Sequence, residues 1–379
     1  MTSMPVPPSV LTSLDVARKT ICDGLAPVAP CHVPLSEALG LIAAATLPLP
    51  APVPSVAQAA KDGWAVFSAD IAGASSYSPV VLPQTPAWIN AGDDLPANSD
   101  CVLDPGQLSD EGAFAEVFAE ARPGEGTRPA GCDLPSGDSP LSAGRRIDAF
   151  DLAACRRAGI ETVAVRRPKV RIVNAAGRGH DRTTCQLIKD RLDVLGALTF
   201  LEDCPNHSEE IVAAIRSAPA DLCIVVGGTG FGEDDRTVEA LSTSGMLLAH
   251  GLALSPGRTT ATGRWEGMPI IALPGLPEQA FGGLLALVEP SIHLLAGSDG
   301  PALAMRSLAR KISSTVGVSE IALLQSHGDG WMPISVSDLT LASVRRADAW
   351  ALIPAASEGL GAGSPLAAAL LRPRDVTGS

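Results

Sequence analysis

The sequence predicts a multidomain α/β and β chain. Its centre is a three-layer α/β domain with a parallel-rich sheet, accompanied by a discontinuous helical domain, an inserted β-rich domain and a small C-terminal β domain. Three observations lead there. From Pro168 onward, strand-like and helix-like runs alternate, which implies a parallel sheet sandwiched between helices. Ahead of it, two helical stretches bracket a region of short β-type runs separated by Gly, Pro, Asn and Asp. Beyond about Pro301 the chain returns to short strands and turns. The expected boundaries are 1–46 plus 122–166 for the helical domain, 47–121 for the β-rich insertion, 167–297 for the α/β domain and 298–379 for the last.

Taken in order, residues 11–45 are expected to form two helical pieces. Leu14, Ala17, Ile21 and Leu25 share one face of the first, and Leu35, Ala38, Leu39 and Ile42 share a face of the second. The run LPLPAPVPSV follows, where Pro48, Pro50, Pro52 and Pro54 forbid helix and mark a crossover. Short strands are expected at 64–67, 79–82, 101–103 and 115–118. Asp148 caps a helix carrying Leu152 and Cys155. A strand begins at Val170, and the next helix carries Leu187, Ile188, Leu192 and Leu195. A second strand covers 198–201, and a helix opens at Asn206 with Glu209 completing a capping box. Residues 269–273 give a further strand. Phe281, Leu284, Leu285, Val288, Ile292 and Leu295 then form a long helical stripe.

Composition narrows the functional classes. A chain of 379 residues accommodates about two to four domains. Against 41 Asp and Glu stand 28 Lys and Arg, a net charge of −13, which argues against nonspecific binding to nucleic acid or to an anionic membrane. The eight cysteines show no CxxC spacing and read as reduced thiols, so a cytoplasmic location is expected. No cationic-then-apolar signal opens the sequence, and its apolar stretches are expected to be broken by proline or charge well short of a membrane span. The six histidines have no ligand spacing, and no imidazole or thiolate metal site is assigned.

The chemistry centres on residues 221–241, DLCIVVGGTGFGEDDRTVEAL. An unbroken apolar run ends at Gly227, as for a parallel strand covered on both faces. Gly227, Gly228, Gly230 and Gly232 then supply backbone able to take positive φ and to leave main-chain N–H groups free for an anion. A Walker loop is excluded because Glu233 stands where its lysine belongs, and a dinucleotide fingerprint fails because its third glycine would fall on Glu233 or Asp235. Such an acidic loop suits a phosphate held through a divalent cation, or a heterocycle hydrogen-bonded beside an anion. In isolation it equally suits a plain strand-to-helix turn. Gly227 and Pro274 are expected on the ligand side of the sheet, at the carboxyl ends of their strands.

Several short motifs in co-linear order resemble the molybdopterin molybdenumtransferase family, which includes the C-terminal domain of gephyrin. Lys61, Asp62, Gly63, Trp64, Ala65 and Val66 resemble that family's MDGYAV, and Gly92, Leu95, Pro96 and Asp100 its TGAPLPEGAD. Arg128, Gly131 and Asp133 resemble RxxGxD, and the glycine loop resembles GGVSVGEAD. Ser255, Pro256, Gly257 and Arg258 stand for KPGKP, while Pro274, Gly275 and Pro277 stand for LPGNP. The similarity covers nearly the whole chain.

The resemblance implies an elongated homodimer of four-domain subunits, with residues 167–297 as the molybdopterin-binding domain. It implies insertion of molybdate into adenylylated molybdopterin, molybdopterin-AMP, with release of AMP, and delivery to a recipient molybdoenzyme. Asp62, Asp133 and Asp235 would be catalytic, lining the interface cleft and placing Mg²⁺ and the pterin phosphate, with Asp62 and Asp235 as metal ligands. Gly227, Gly228, Gly230, Gly232, Glu233, Arg258, Pro274 and Gly275 would bind the pterin and the oxyanion. The chain departs from the family at polar positions. Ala91 replaces a threonine, NAAGR at 174–178 replaces TGDEL, and Gly230 replaces a serine. Ser255 replaces a lysine and Leu276 an asparagine. These losses keep open the alternative of a non-catalytic molybdopterin-binding carrier or assembly factor.

Overall fold

A computed structural model describes residues 10–110, 114–175, 182–232 and 235–372. At its centre is a six-stranded sheet in the order Leu198–Asp203, Lys169–Asn174, Leu222–Val226, Met268–Leu273, Ala261–Trp265, Leu247–His250. The first four strands are parallel, Ala261–Trp265 pairs antiparallel with Met268–Leu273, and Leu247–His250 pairs antiparallel with Ala261–Trp265. All of Leu222–Val226 is buried, as its unbroken apolar run requires. Alternate side chains serve opposite layers. Ile172, Ile224 and Val226 join a cluster with the helices Leu14–Cys22 and Thr183–Val194 and the long helix beyond Pro277. Val173, Cys223 and Val225 join a second cluster with the helices Ser208–Arg216 and Thr237–Thr243.

The discontinuous unit also assembles, since Val33, Leu35, Ala38 and Leu41 pack with Leu141, Ile147, Leu152 and Cys155. Its second expected helix, however, is absent. Leu35–Glu37 is one 3₁₀ turn, flanked by the strands Cys31–Pro34 and Ile42–Ala43, which pair with Thr162–Arg166. Gly40 takes φ +79°, which stops helix propagation, and Leu39 stays 61% exposed. The helix Leu14–Cys22 forms as expected but packs in the central cluster rather than with residues 33–43. Strand Thr12–Ser13 runs parallel to Leu252–Ser255 and carries it there. The capping box at Asn206 is likewise not formed: the helix opens at Ser208 behind an extended His207 that caps nothing through its side chain.

The β-rich insertion holds two three-stranded sheets, one of them built on Gly63–Val66 with Ala87–Ile89 and Cys101–Leu103. Gly63 is required there, because a Cβ would lie 1.9 Å from the Leu103 carbonyl oxygen. The C-terminal part is β-rich as expected, with one short helix, Leu341–Arg346. Its seven-stranded sheet recruits Thr12–Ser13 and Leu252–Ser255 from earlier in the chain. All eight cysteines are free, and burial pushes Cys101 and Cys223 up to about 12.

One expectation about apolar stretches is corrected. Pro277–Ala296 is a continuous 20-residue helical segment, long and apolar enough to match a membrane span by composition, but 83% of its apolar stretch is buried inside the protein. It is a core helix. A π turn at Leu284–Val288 precedes Pro290, which has no N–H to give the Ala286 carbonyl; Arg18 Nε donates to that oxygen at 2.7 Å. Burial lowers the Arg18 pKa below its ordinary value. Further along, Glu289 accepts two hydrogen bonds from Arg191, at 2.6 and 3.2 Å, with only 4% of its side chain exposed. The same Arg191 donates to the Leu371 carbonyl at 3.1 Å, joining the long helix, the helix Thr183–Val194 and the C-terminal sheet.

Arg191→Met should cost about 3–5 kcal/mol of unfolding free energy by leaving a buried carboxylate unpaired, whereas Arg191→Met/Glu289→Met should recover most of the loss. Urea unfolding followed by circular dichroism checks this, and equal losses in the two variants would refute it. His293 is pushed down to about 4, chiefly by burial and then by Arg146 and Arg191. The unfolded ring takes its proton near pH 6.5. Between those values the unfolded state binds more protons, so stability should decline by up to about 3 kcal/mol as pH falls from about 6.5 to about 4, and level off below. His293→Phe should flatten that part of the stability curve. A wild-type curve already flat there would contradict the burial of a neutral ring.

Candidate functional site

The glycine loop leaves Leu222–Val226 where its neighbour Met268–Leu273 runs into Pro274 and Gly275, so two adjacent parallel strands deliver their carboxyl ends to one place. The Gly227 N–H donates to the Leu273 carbonyl at 2.9 Å, and a Cβ on Gly275 would stand 3.6 Å from Gly227 Cα. Thr237, at the start of the next helix, donates its hydroxyl to the Gly227 carbonyl at 2.7 Å and its N–H to the Gly228 carbonyl at 3.0 Å.

The four glycines have two different reasons. Gly227 and Gly228 take φ of +95° and +64°, as expected, but Gly230 and Gly232 do not lie in the left-handed region. They are small because Asp235 folds over them: its Oδ2 would meet a Cβ at 2.6 Å on Gly230 and at 3.0 Å on Gly232. The same oxygen accepts the Gly232 N–H at 2.7 Å, so the carboxylate occupies a donor that an incoming anion would seek. Glu233 lies outside the described residues.

Around the loop stand residues that motif reasoning missed. Thr229 is 1% exposed; its hydroxyl lies 3.3 Å from that of Thr259, and its carbonyl 3.0 Å from His250 Nε2. The Phe231 and His250 rings are 5.5 Å apart. Thr184 donates to the Gly275 carbonyl at 2.6 Å, and Asn174 Nδ2 and Arg182 Nε donate to Asp203 Oδ1 at 3.0 and 2.9 Å. These residues have no spacing pattern of their own. His250 had a weak signal, as a lone histidine ending an apolar run ahead of Gly251.

Thr259 draws the preceding segment, Ser255, Pro256, Gly257 and Arg258, to the loop. The long helix presses on that segment so closely that a Cβ on Gly282 would lie 2.0 Å from the Pro256 carbonyl oxygen. Arg258 is exposed and has no carboxylate partner among the described residues. It borders a recess of about 200 Å³ with Ser255, Gln279 and Ser337. Ser337 bridges the Ser255 carbonyl and Glu320, at 3.3 and 2.7 Å. Burial opposes ionisation of Glu320, but hydrogen bonds from Ser314, Ser337 and the Thr315 N–H outweigh it and hold the pKa below its ordinary value. Leu276 occupies the N-cap of the long helix without a side-chain cap, leaving the positive helix end open beside Gly275.

Asp62 and Asp133 lie elsewhere. Asp62 Oδ1 accepts the Ala91 N–H at 2.7 Å. Asp133 is held by Arg128 on one oxygen and on the other by Arg157, at 3.3 and 3.2 Å, and Arg157 also reaches Gln58 Oε1 at 3.4 Å. The carboxylate raises the Arg128 pKa above its ordinary value. Asp100, another motif residue, is structural, accepting from the Ser68 N–H and hydroxyl at 2.6 and 2.7 Å. Among the described residues no hydrogen bond or ion pair joins Asp62 or Asp133 to the loop, and no three His, Cys, Asp or Glu side chains converge to hold a metal. Among the described residues no such bond joins Asp62, Asp133 and Asp235 within one chain: Asp62 sits in the β-rich lobe, Asp235 in the α/β lobe, and both oxygens of Asp133 are held by Arg128 and Arg157.

Two parts of the chain match known families. Residues 12–159 match the family described as MoeA N-terminal region (domain I and II), and residues 175–294 match the one described as "Probable molybdopterin binding domain". The chain is 29% identical over 320 residues to a molybdopterin molybdenumtransferase of Haemophilus influenzae, covering 76% of this chain and 78% of the relative. To one of Synechococcus elongatus it is 24% identical over 381 residues, covering 90% and 94%. A crystal structure of a molybdopterin biosynthesis MoeA protein from Pyrococcus horikosii superposes with a TM-score of 0.75 at 25% identity, covering 96% of this chain and 100% of that one.

Gly228 and Gly230 should respond differently to an added Cβ. Gly228→Ala should destabilise by about 1–3 kcal/mol, since it strains a left-handed residue and drives a Cβ toward the Thr237 backbone, 3.1 Å away. Gly230→Ala meets only the end of the Asp235 side chain and should fold like the wild type. Thermal unfolding midpoints of the two variants check this, and equal midpoints would count against it.

Proposed function

The chain belongs to the molybdopterin molybdenumtransferase family of molybdenum cofactor biosynthesis, and from that premise we propose that it inserts molybdate into molybdopterin-AMP with release of AMP. The observation that supports this most is the convergence of the glycine loop, the Pro274–Gly275 turn and an uncapped helix start at the carboxyl ends of adjacent parallel strands, with Arg258, which has no carboxylate partner among the described residues, adjoining the Thr259 that meets the loop. Backbone N–H groups of Gly228, Gly230 and, once Asp235 releases it, Gly232 bind the pterin phosphate, whereas the Gly227 N–H is taken by the Leu273 carbonyl and that residue contributes only its left-handed turn. Arg258 holds the oxyanion with its planar donors. Asp235 leaves the Gly232 N–H when an anion enters and becomes available for a cation.

Asp62 and Asp235 each keep one carboxylate oxygen without a hydrogen-bond or ion-pair partner among the described residues, which suits Mg²⁺ held by one or two carboxylates plus phosphate oxygens. When bound, Mg²⁺ would draw charge from the phosphoanhydride that breaks. Asp133 does not suit that role and acts through its two arginines as a positioning residue. Since Asp62 and Asp235 sit on separate lobes, the proposal includes a homodimer whose cleft is completed by the second copy, a recipient molybdoenzyme and a cytoplasmic location. A second reading, a non-catalytic molybdopterin carrier or assembly factor, draws support from Ser255 and Leu276, which lack the charge and the amide found at these positions in the family.

Incubation of purified protein with molybdopterin-AMP, Mg²⁺ and molybdate separates the two readings, because a carrier binds the pterin and releases no AMP. Ser255→Lys/Leu276→Asn should lower the molybdate concentration for half-maximal AMP release by about tenfold, as expected for one added charge-assisted hydrogen bond. Leu276→Asn should also cap the long helix, by about 0.5–2 kcal/mol. An unchanged molybdate dependence, with the wild type already active at low molybdate, would mean that neither position limits oxyanion binding.

A further inference from the structure

We propose that Phe231 and His250 form the face on which the ligand's flat, nitrogen-rich heterocycle stacks, with His250 fixed as the Nε2–H tautomer. This rests on the functional reading above and deepens it. The Thr229 carbonyl can only accept, so at 3.0 Å His250 Nε2 must carry the hydrogen. In the neutral ring Nδ1 is then an acceptor, and no donor meets it among the described residues. A heterocycle bearing an N–H or NH₂ group complements that nitrogen.

Phe231 supplies the apolar part of the face. Aromatic residues make up only 3% of the chain, and this one sits between two glycines of an anion-binding loop. It belongs to none of the buried hydrophobic clusters and touches His250 with the rings tilted by 46° at 5.5 Å. Packing therefore does not account for it. Both rings are half-buried, so each retains surface toward solvent. Thr229 is pinned on both sides, by His250 at its carbonyl and Thr259 at its hydroxyl, so the face and the phosphate-binding N–H groups move as one body. A ligand joining a heterocycle to a phosphate meets both at once. Phosphate alone meets only the second.

The test uses the full chain and three probes: AMP, a phosphorylated pterin and inorganic phosphate. His250→Gln keeps an N–H for the Thr229 carbonyl but loses the ring, and Phe231→Leu keeps apolar bulk but loses the aromatic face. Each should weaken binding of AMP or of the pterin by roughly tenfold in calorimetric titration while phosphate binding changes less than twofold. Weakening confined to AMP assigns the face to adenine, and weakening confined to the pterin assigns it to the pterin ring; either supports the proposal. Nitrogen NMR of the wild type should show a protonated Nε2 and a free Nδ1 that shifts when that probe is added. Unaltered affinity for both heterocycles in both variants, or loss of phosphate binding to the same extent, would overturn the proposal. A wild-type protein that binds a heterocycle but releases no AMP sinks the transferase reading and leaves the stacking face standing; one that binds neither probe sinks both.

Discussion

The pairing of Arg191 with Glu289 is the interaction on which the arrangement of this protein depends. A carboxylate with 4% of its side chain exposed is costly in a protein interior unless nearly every lone pair is met, and here one guanidinium meets both oxygens through Nε and Nη2 while its Nη1 donates to the Leu371 carbonyl. The pair therefore specifies geometry more than it adds stability. It holds the long helix, the helix Thr183–Val194 and the C-terminal sheet in one relation. Arg18 acts similarly one turn earlier, satisfying the carbonyl that Pro290 cannot. Arg264 then grips the end of the helix Leu14–Cys22, donating to the carbonyls of Thr20, Ile21 and Asp23 at 2.8, 3.2 and 3.0 Å. Three arginines thus fasten the helical layer at places where hydrocarbon packing alone would leave backbone or carboxylate unmet.

The site inherits its shape from that layer. Because the long helix is held so close that Gly282 admits no Cβ against Pro256, the segment carrying Arg258 is pushed toward the glycine loop, where Thr259 and Thr229 meet. The parallel order of the sheet does the rest, bringing the ends of two neighbouring strands to the same edge. The acidic loop, unsuited to bare phosphate by its charge, places its own Asp235 on the Gly232 N–H. In the proposed function this carboxylate stands where the anion would bind and exchanges places with it.

Much of this was legible in the sequence where a periodic or unbroken apolar pattern had a single structural solution. The run at Leu222–Val226, the alternation after Pro168 and the order of short motifs led to the α/β domain and to the family without coordinates. The pattern at Leu35, Ala38, Leu39 and Ile42 misled because spacing near 3.6 is also satisfied by a 3₁₀ turn between two short strands, and the burial of Leu35 and Ala38 fits either. The stripe from Phe281 to Leu295 was legible as one long helix, and only the expectation that proline breaks such an apolar stretch failed, because Pro290 is absorbed by a π turn and a borrowed arginine.

What the sequence determined by itself is local: which runs are buried strands, which glycines open a loop, which positions lack a lysine or an amide. Tertiary structure decided what those residues do. Asp133 reads as a catalytic carboxylate from its motif, but Arg128 holds one of its oxygens and Arg157, 24 residues away in sequence, the other. His250 has no motif, yet its ring is fastened to the loop through Thr229, 21 positions earlier. Gly230 and Gly232 look like turn glycines and are small because a carboxylate lies over them. Hydrogen bonds and close contacts of this kind join residues with no shared period, so only the folded chain assigns their roles.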